Sequence, residues 1–249
     1  MRVAVVGGTG VVGRYVVPAL RAAGHEPVVV ARSLGVDVTT GAGLDAALER
    51  ADGVVNVSNV TTASRKAAVA FFEAATTSLL DAGFRAGVRH HVILSIVGID
   101  RVDLGYYAGK RRQEQLALDS GRPVTILRAT QFHEFAEQTL DRFAKGPLAV
   151  VPRMRTQPVA AREVAGALAA LVAAEPVGLA PELAGPEVRE LPDLVRAVLQ
   201  ARARPERVLA FRLPGRAGRA MVDGGLLPSG DGPRGTQTFD QWLRATAPA

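Results

Sequence analysis

The residues best suited to moving a proton in this 249-residue chain are Tyr106 and Lys110, whose spacing puts them on one face of a helix. A phenol has a pKa of about 10 and exchanges protons poorly at neutral pH. An ammonium group held beside it lowers that pKa, so the pair could pass a proton to or from a substrate oxygen, with Ser95 hydrogen-bonded to the same oxygen. The structural alternative is a packed tyrosine and a solvated lysine. Glu114 is expected to form a helix-surface ion pair with Lys110.

The first turn of the chain is rich in glycine and joins a predicted strand, Arg2–Val6, to a predicted helix, Val11–Ala23. Residues 7–13 read Gly-Gly-Thr-Gly-Val-Val-Gly. Glycine permits a tight turn and lets a diphosphate approach the backbone amides at a helix N-terminus. The flanking strand and helix favour dinucleotide binding over a merely tight turn. The residues predicted to contact the dinucleotide are Gly7, Thr9, Gly10, Val11, Val12 and Gly13.

The end of the second predicted strand, Pro27–Ala31, selects between the two pyridine dinucleotides. Sites for NAD(H) usually carry Asp or Glu there to accept hydrogen bonds from the ribose hydroxyls, whereas this chain has Arg32 and Ser33 and no acid before Asp37. A guanidinium and a hydroxyl suit a 2′-phosphate, so NADP(H) is the predicted cofactor and NAD(H) the alternative. Asp37 and Val38 would flank the adenine, unless Asp37 only stabilises a turn.

Strand and helix patterns alternate through the first half of the chain, which predicts a Rossmann-like, doubly wound parallel sheet of the α/β class. The remaining predicted strands are Val36–Val38, Gly53–Val57, Arg89–Ser95 and Pro123–Arg128, and the helices between strands are Gly43–Arg50, Ser64–Ala86 and Tyr107–Ser120. Residues 1–150 are predicted to form the NAD(P)-binding domain. Residues 151–249 are predicted to form a small C-terminal substrate lobe packed on it.

The regular alternation of strand and helix patterns ends at about Phe132. The predicted helices there are Phe132–Lys145, Ala161–Ala174, Leu191–Ala203 and Phe239–Arg244. The segment Pro214–Gly235 is crowded with glycine and proline and is expected to be a mobile lid over the substrate or a disordered surface loop.

The composition, with 48% hydrophobic and 22% charged residues, is that of a globular protein with a large core. No cysteine is present, which excludes disulfides and thiolate chemistry, and the four histidines lack metal-ligand spacing, so no metal is predicted. The net charge of +6 comes from arginines spread along the chain, without the basic blocks that favour nucleic acid. Neither a membrane span nor a secretory leader is expected, so a cytoplasmic location is predicted. The expected partner is a small-molecule substrate, and either a monomer or a homodimer is expected.

Together these features resemble the short-chain dehydrogenase/reductase superfamily and, more narrowly, its atypical NmrA-like branch of NAD(P)H-binding proteins. The matching stretches, which cover residues 1–175 best, are Val3–Arg14, Ala31–Ser33, Val55–Asn59, Ser95–Asp100, Tyr106–Lys110 and Leu127–Phe132. The resemblance implies that Ser58 and Asn59 line the ribose on the nicotinamide side and that Lys110 binds hydroxyls of that ribose. The residues implied to close over the nicotinamide are Thr130, Gln131 and Phe132.

One position departs from the family pattern. The active serine of the family often lies one or two residues beyond the first serine of this strand end, where this chain has Ile96 and Val97, so the role of Ser95 stays open. The leading expectation is an NADP(H)-dependent oxidoreductase that transfers hydride between nicotinamide and a small organic carbonyl or activated double bond, with Tyr106 as proton donor or acceptor. The alternatives are a non-catalytic NADP-binding regulator, or an epimerase or dehydratase that uses the cofactor transiently.

Overall fold

The computed structural model describes residues 1–246 as an α/β protein. In chain order the strands are β1 (Arg2–Val6), β2 (Glu26–Val30), β3 (Gly53–Asn56), β4 (His90–Ile96), β5 (Val124–Ala129), β6 (Ala144–Lys145), β7 (Leu148–Pro152), β8 (Arg155–Thr156), β9 (Gly178–Leu179), β10 (Arg189–Glu190) and β11 (Arg207–Phe211). The helices are α1 (Gly13–Ala22), α2 (Leu44–Leu48), α3 (Arg65–Arg85), α4 (Gly105–Asp119), α5 (Phe135–Phe143), α6 (Ala161–Ala173), α7 (Leu191–Ala201), α8 (Gly215–Val222) and α9 (Phe239–Ala245).

The main sheet has six strands in the order β2-β1-β3-β4-β5-β9. The pairs β2–β1, β1–β3, β3–β4 and β5–β9 are parallel. The apolar run Val3–Val6 of β1 is buried throughout, as expected for a central strand with both faces covered. The predicted α/β fold with a doubly wound parallel sheet is confirmed, and the strand order reverses direction between β1 and β3.

Helix α3, which flanks this sheet, begins and ends where local sequence signals place it. Helix α3 starts after Ser64, whose hydroxyl accepts a hydrogen bond from the amide of Ala67. It ends just before Gly87, which has a φ of +72°. The predicted helix Ser64–Ala86 is therefore confirmed to within one residue at each end.

The described chain forms two compact units. The first unit contains residues 1–95, 104–128 and 162–180, and the second contains residues 96–103, 129–161 and the chain from residue 181 onward. The predicted boundary at residue 150 separates a part that binds the cofactor from a part that binds the substrate. The two compact units are defined by backbone contacts and not by ligands, so this boundary stays a prediction.

The second unit contains two small sheets that the sequence patterns did not predict. Strands β10 and β8 form an antiparallel pair, and β11, β7 and β6 form a three-stranded sheet in that order. His133 is fully buried in this unit between the rings of Phe239 and Trp242, each with its centroid 5.7 Å away. This histidine is therefore a core residue.

The strand predicted at Val36–Val38 is wrong. The carboxylate of Asp37 accepts hydrogen bonds from both the amide and the hydroxyl of Thr39, and Gly35 just before has a φ of +80°. This local turn competes with extended pairing because it satisfies the backbone without a neighbouring strand.

Two predictions for the second half also differ from the structure. The helix predicted over Phe132–Lys145 is confined to α5, because Ala144 and Lys145 pair with β7. The segment 214–235 contains helix α8, and the Arg101 guanidinium donates hydrogen bonds to the carbonyl oxygens of Gly225 and Leu227. The disordered alternative for this segment is wrong, and the lid stays a prediction.

Candidate nucleotide-binding and proton-transfer site

The loops that follow β1, β2 and β3 lie side by side at one edge of the main sheet. In the parallel register Val6 is opposite both Val30 and Asn56, the last residues of the two neighbouring strands. The amide of Gly7 donates to the carbonyl oxygen of Val30, and that of Val57 donates to the carbonyl oxygen of Val6. This carboxyl edge, at the reversal of strand order, is where open α/β sheets bind their ligands.

The glycines of the first turn are required by close backbone approach. Gly7 has a φ of +82°, and a Cβ there would lie 2.9 Å from the Cα of Ser58. A Cβ on Gly13 would lie 2.5 Å from the Cα of Gly8 and closer still to the carbonyl oxygen of Gly7. Helix α1 therefore rests directly on the turn. Gly10 differs, because its Cβ would meet only the Gly7 oxygen, at 3.2 Å.

The start of α1 leaves backbone amides available for an anion. The amide of Gly10 donates to Gly7 and that of Arg14 donates to Gly10, but the amides of Thr9, Val11 and Val12 donate no hydrogen bond within residues 1–246. No side chain caps the helix and its first turn carries no acid. Such an end attracts negative charge through unsatisfied amides and the helix dipole, so these residues fit a diphosphate group.

The loop after β2 presents a cation to solvent and no carboxylate that is free to bind a ribose. Arg32 and Ser33 are exposed on a 3-10 turn that follows β2. The Asp37 carboxylate is committed to Thr39, and these hydrogen bonds hold its pKa below the usual value. The turn role of Asp37 is therefore present in the structure, and contact of Asp37 and Val38 with adenine stays a prediction.

The loop after β3 is built around a buried asparagine. The Oδ1 atom of Asn56 accepts hydrogen bonds from the amide and the hydroxyl of Ser58, at 3.0 and 2.7 Å. These hydrogen bonds fix the loop that carries Asn59. The Oδ1 atom of Asn59 accepts a hydrogen bond of 2.6 Å from the hydroxyl of Tyr106. Two predicted site residues thus meet, although they are 47 positions apart.

The expected lowering of the Tyr106 pKa is wrong for this structure. Tyr106 is largely buried, and this burial raises the pKa of its phenol, to which Tyr107 adds a smaller increase. The only described hydrogen bond of the hydroxyl within residues 1–246 is the one to Asn59, which stabilises the protonated phenol. The ring packs edge-on against Phe72, with centroids 5.8 Å apart. The site therefore holds Tyr106 as a hydrogen-bond donor.

Lys110 is one helical turn from Tyr106 but its ammonium group is turned inward. It is only 5% exposed, and Nζ donates to the carbonyl oxygen of Leu94 and to Oε1 of Gln113, both at 2.8 Å. It also lies 4.5 Å from the centre of the Phe72 ring. Burial lowers the pKa of Lys110 to about 7, and the nearby Glu114 carboxylate opposes that decrease.

The surface ion pair expected between Glu114 and Lys110 is wrong. Glu114 is buried and forms a two-point ion pair with Arg128 at the end of β5, with N–O distances of 2.9 and 2.5 Å. Burial favours this pairing because Arg128 offers a planar fork that matches a carboxylate. The pair joins α4 to the strand beside β4.

Ser95 is 2% exposed and lies one residue before the end of β4. It shares a strand face with Ile93, which packs against Leu80 of α3 and Ala117 of α4. Its hydroxyl has no hydrogen-bond partner within residues 1–246. Ser95 is therefore covered by the helical layer that carries Lys110, and its role in proton relay stays a prediction.

The segment implied to close over the nicotinamide lies in the second unit. The hydroxyl of Thr130 donates to the carbonyl oxygen of Gln157, and Oε1 of Gln131 accepts from Thr156. Phe132 forms a parallel bridge with Val159. Thr130 and Gln131 thus form side-chain hydrogen bonds within their own unit, although the buried Nε2 atom of Gln131 has no hydrogen-bond partner in residues 1–246. Contact of the three residues with a nicotinamide stays a prediction.

The sequence patterns missed three residues that organise the first unit's site. Asn56 could have been noticed as a polar residue that ends an apolar strand, but Gln113 and Arg128 carry no local signal. Their importance comes from burial beside Lys110 and Glu114, which depends on how α4 packs on β4 and β5.

A parallel sheet with a glycine turn at its reversal point and bare amides at the first helix defines the Rossmann class of α/β proteins. Within this class, residues 3–98 match the model of the NAD dependent epimerase/dehydratase family. The matched segment runs from β1 through β4 and includes the glycine turn. No curated protein sequence matches the chain significantly.

Solved structures with the same fold match nearly the whole chain at low sequence identity. A short-chain dehydrogenase/reductase superfamily protein from Agrobacterium tumefaciens with bound NAD is 18% identical, with a TM-score of 0.72 over 99% of this chain and 96% of its own. An NADPH-dependent quinone oxidoreductase from Escherichia coli is 18% identical, with a TM-score of 0.68 and 98% of each chain covered. A dTDP-glucose 4,6-dehydratase from Streptomyces venezuelae with bound NAD is 19% identical, with a TM-score of 0.72 over 98% of this chain and 95% of its own.

These matches agree with the resemblance to the short-chain dehydrogenase/reductase superfamily in fold, and the family model supports it over residues 3–98. The narrower NmrA-like branch stays a prediction. Within the described helices, none is both long and apolar enough to cross a membrane. Residues 1–246 contain no group of three or more histidine or acidic side chains arranged to hold a metal ion.

Proposed function

We propose that the protein is an NADP(H)-dependent oxidoreductase that acts on a small organic carbonyl or activated double bond, with Tyr106 as proton donor or acceptor. The observation that carries the proposal is the glycine turn: Gly13 lets α1 rest on the turn, and the amides of Thr9, Val11 and Val12 are free to bind a diphosphate. The family match over residues 3–98 supports the same ligand.

The loop after β2 supports NADP(H) over NAD(H). Arg32 is exposed and makes no described hydrogen bond or ion pair within residues 1–246, so its guanidinium is available to a 2′-phosphate. The first acid after β2 is Asp37, which is occupied by Thr39. A ribose 2′-hydroxyl would therefore find no free carboxylate among these residues.

The proton chemistry is assigned to Tyr106 and Lys110. When bound, the nicotinamide supplies the hydride. The Tyr106 hydroxyl is protonated and already oriented by Asn59, so it can donate its proton to a substrate oxygen once that oxygen replaces the Asn59 acceptor. Lys110 would bind ribose hydroxyls, and its pKa of about 7 allows it to gain or lose a proton near neutral pH.

The cofactor assignment is tested by Arg32→Ala with isothermal titration calorimetry. Loss of a charge-assisted phosphate contact is expected to weaken NADPH binding by about 10- to 100-fold and to leave NADH binding nearly unchanged. Arg21→Ala, at an exposed position of α1, is the matched control. Equal weakening of both dinucleotides by Arg32→Ala would contradict the NADP(H) assignment.

The role of Tyr106 is tested by Tyr106→Phe, which keeps the ring against Phe72 and removes the hydroxyl. NADPH oxidation by a panel of quinones, aldehydes and enones should fall by about 100-fold or more, while calorimetric NADPH affinity stays nearly the same. Tyr107→Phe, the next residue of α4, is the control. Turnover by Tyr106→Phe at the original rate would remove Tyr106 from the mechanism.

A non-catalytic NADP-binding regulator is the second candidate. It is favoured by the raised pKa of Tyr106 and by the inward hydrogen bonds of Lys110, which leave the pair unconnected. A regulator would reduce no compound of the panel with NADPH and would keep its NADPH affinity in Tyr106→Phe.

The name of the matched family favours an epimerase or dehydratase as a third candidate. Such an enzyme would use the cofactor transiently, so product would form without net loss of NADPH absorbance.

A further inference from the structure

Helix α4 carries a buried polar side chain, Gln113, next to Lys110, and the proposed chemistry gives it no role. Gln113 of α4 has no exposed surface, and its Oε1 atom accepts from the ammonium group of Lys110 at 2.8 Å. Its Nε2 atom has no hydrogen-bond partner within residues 1–246. A fully buried amide with one end unsatisfied is costly, so its retained contact with Lys110 calls for an explanation.

The groups that hold Lys110 are neutral. They are the carbonyl oxygen of Leu94, the amide oxygen of Gln113 and the face of the Phe72 ring. The carboxylate of Glu114, on the next turn of the same helix, is held by Arg128 instead. Within residues 1–246, Lys110 is thus a buried cation to which no carboxylate is hydrogen-bonded.

We propose that Gln113 is a positioning residue for Lys110. Its neutral amide oxygen holds the ammonium group in place, whereas a carboxylate at the same position would keep Lys110 permanently charged. The effect on Lys110 follows from the geometry of α4 and β4 alone. Its consequence for catalysis rests on the proposed function.

The surroundings of Lys110 define what a charge at position 113 would do. The charged group that acts on it is Glu114 on α4, which is paired with Arg128 of β5. Helix α3 contributes the Phe72 ring, and β4 contributes the Leu94 carbonyl. Burial disfavours the ammonium form and lowers the pKa of Lys110. A carboxylate in contact would favour that form and raise the pKa again.

The chain offers a direct readout because it contains only three lysines, Lys66, Lys110 and Lys145. Lys66 and Lys145 are exposed and serve as internal references. Protein labelled with carbon-13 at lysine Cε gives three signals, and the pH titration of each is followed by NMR in the cofactor-free protein.

If Gln113 holds Lys110, two substitutions of Gln113 should shift the titration midpoint of Lys110 in opposite directions. Gln113→Glu is expected to raise the titration midpoint of Lys110 by roughly one to three pH units. Gln113→Met keeps the shape, removes the acceptor, and is expected to lower the midpoint by about one unit. Gln115→Glu, at an exposed position of the same helix, adds the same charge and should leave Lys110 in place.

The proposal is overturned if Lys110 titrates together with Lys66 and Lys145, if Gln115→Glu shifts it as much as Gln113→Glu does, or if Gln113→Met leaves it unchanged. If Gln113→Glu does not fold, as judged by circular dichroism, Gln113→Met still decides the question.

The consequence for catalysis is measured in a separate experiment, the pH profile of kcat for NADPH oxidation. In Gln113→Glu the profile should move with the NMR midpoint while KM for NADPH changes little. An NMR shift without a change in the profile would leave the positioning role intact and remove Lys110 from the proposed chemistry.

Discussion

Replacement of Gly13 by alanine tests whether the glycine turn and α1 must touch for the protein to bind a dinucleotide. The added Cβ would lie 2.5 Å from the Cα of Gly8, and closer still to the Gly7 carbonyl oxygen. Backbone atoms of a tight turn cannot rotate away as a side chain would. Helix α1 must therefore shift outward, and its free amides move with it.

The size of the effect follows from two opposing terms. Overpacking typically costs about 1–3 kcal/mol, and the better helix propensity of alanine returns up to about 1 kcal/mol. A net loss of about 1–2 kcal/mol corresponds to a decrease in Tm of roughly 2–8 °C for a chain of this size. NADPH affinity should also fall, because hydrogen bonds to phosphate require the amides to keep their positions.

Two matched substitutions separate stability from binding. Gly10→Ala would meet only the Gly7 oxygen, at 3.2 Å, so it should change the Tm little and still weaken NADPH binding by obstructing the approach of phosphate. Gly166→Ala, on α6 with no atom within 4 Å of the added Cβ, should stabilise the protein by up to about 1 kcal/mol.

The assay is thermal unfolding by circular dichroism, with and without NADPH, together with calorimetry. An unchanged Tm and an unchanged NADPH affinity in Gly13→Ala would refute the reasoning, since the turn would then tolerate the displacement of α1.

Three further predictions concern stability. Arg128→Leu should lower the free energy of unfolding in urea by about 3–5 kcal/mol because it leaves the buried Glu114 carboxylate unpaired, and the double variant with Glu114→Gln should recover part of that loss. Burial lowers the pKa of His91 from 6.5 to about 4, so between these two pH values the unfolded chain binds a proton that the folded protein does not. The free energy of unfolding should therefore fall by about 3 kcal/mol as the pH decreases from 6.5 to 4. Chemical denaturation at a series of pH values should show a flatter dependence for His91→Leu. Ser64→Ala should cost about 1 kcal/mol in Tm-derived stability by removing the cap of α3, whereas Ser64→Asp should retain it.

Much of the fold was determined by the sequence through short-range patterns. The apolar run of β1, the glycine turn after it and the capped helix α3 are encoded by residues a few positions apart, because strand burial, backbone freedom and helix capping act locally. The same locality explains the error at Val36–Val38, where an aspartate turn outweighed β-branched residues. It also explains why the small strands β7 and β11 were missed, since short strands form only when distant partners are present.

For the candidate site, the sequence determined which chemical groups are available, and the tertiary structure decided where they point. Spacing alone paired Tyr106 with Lys110. Packing instead turns the phenol to Asn59, 47 positions away, and the ammonium group to Leu94, 16 positions away. Buried polar groups must find hydrogen bonds wherever the assembled layers offer them. Those partners come from other strands and helices, so no local pattern can specify them.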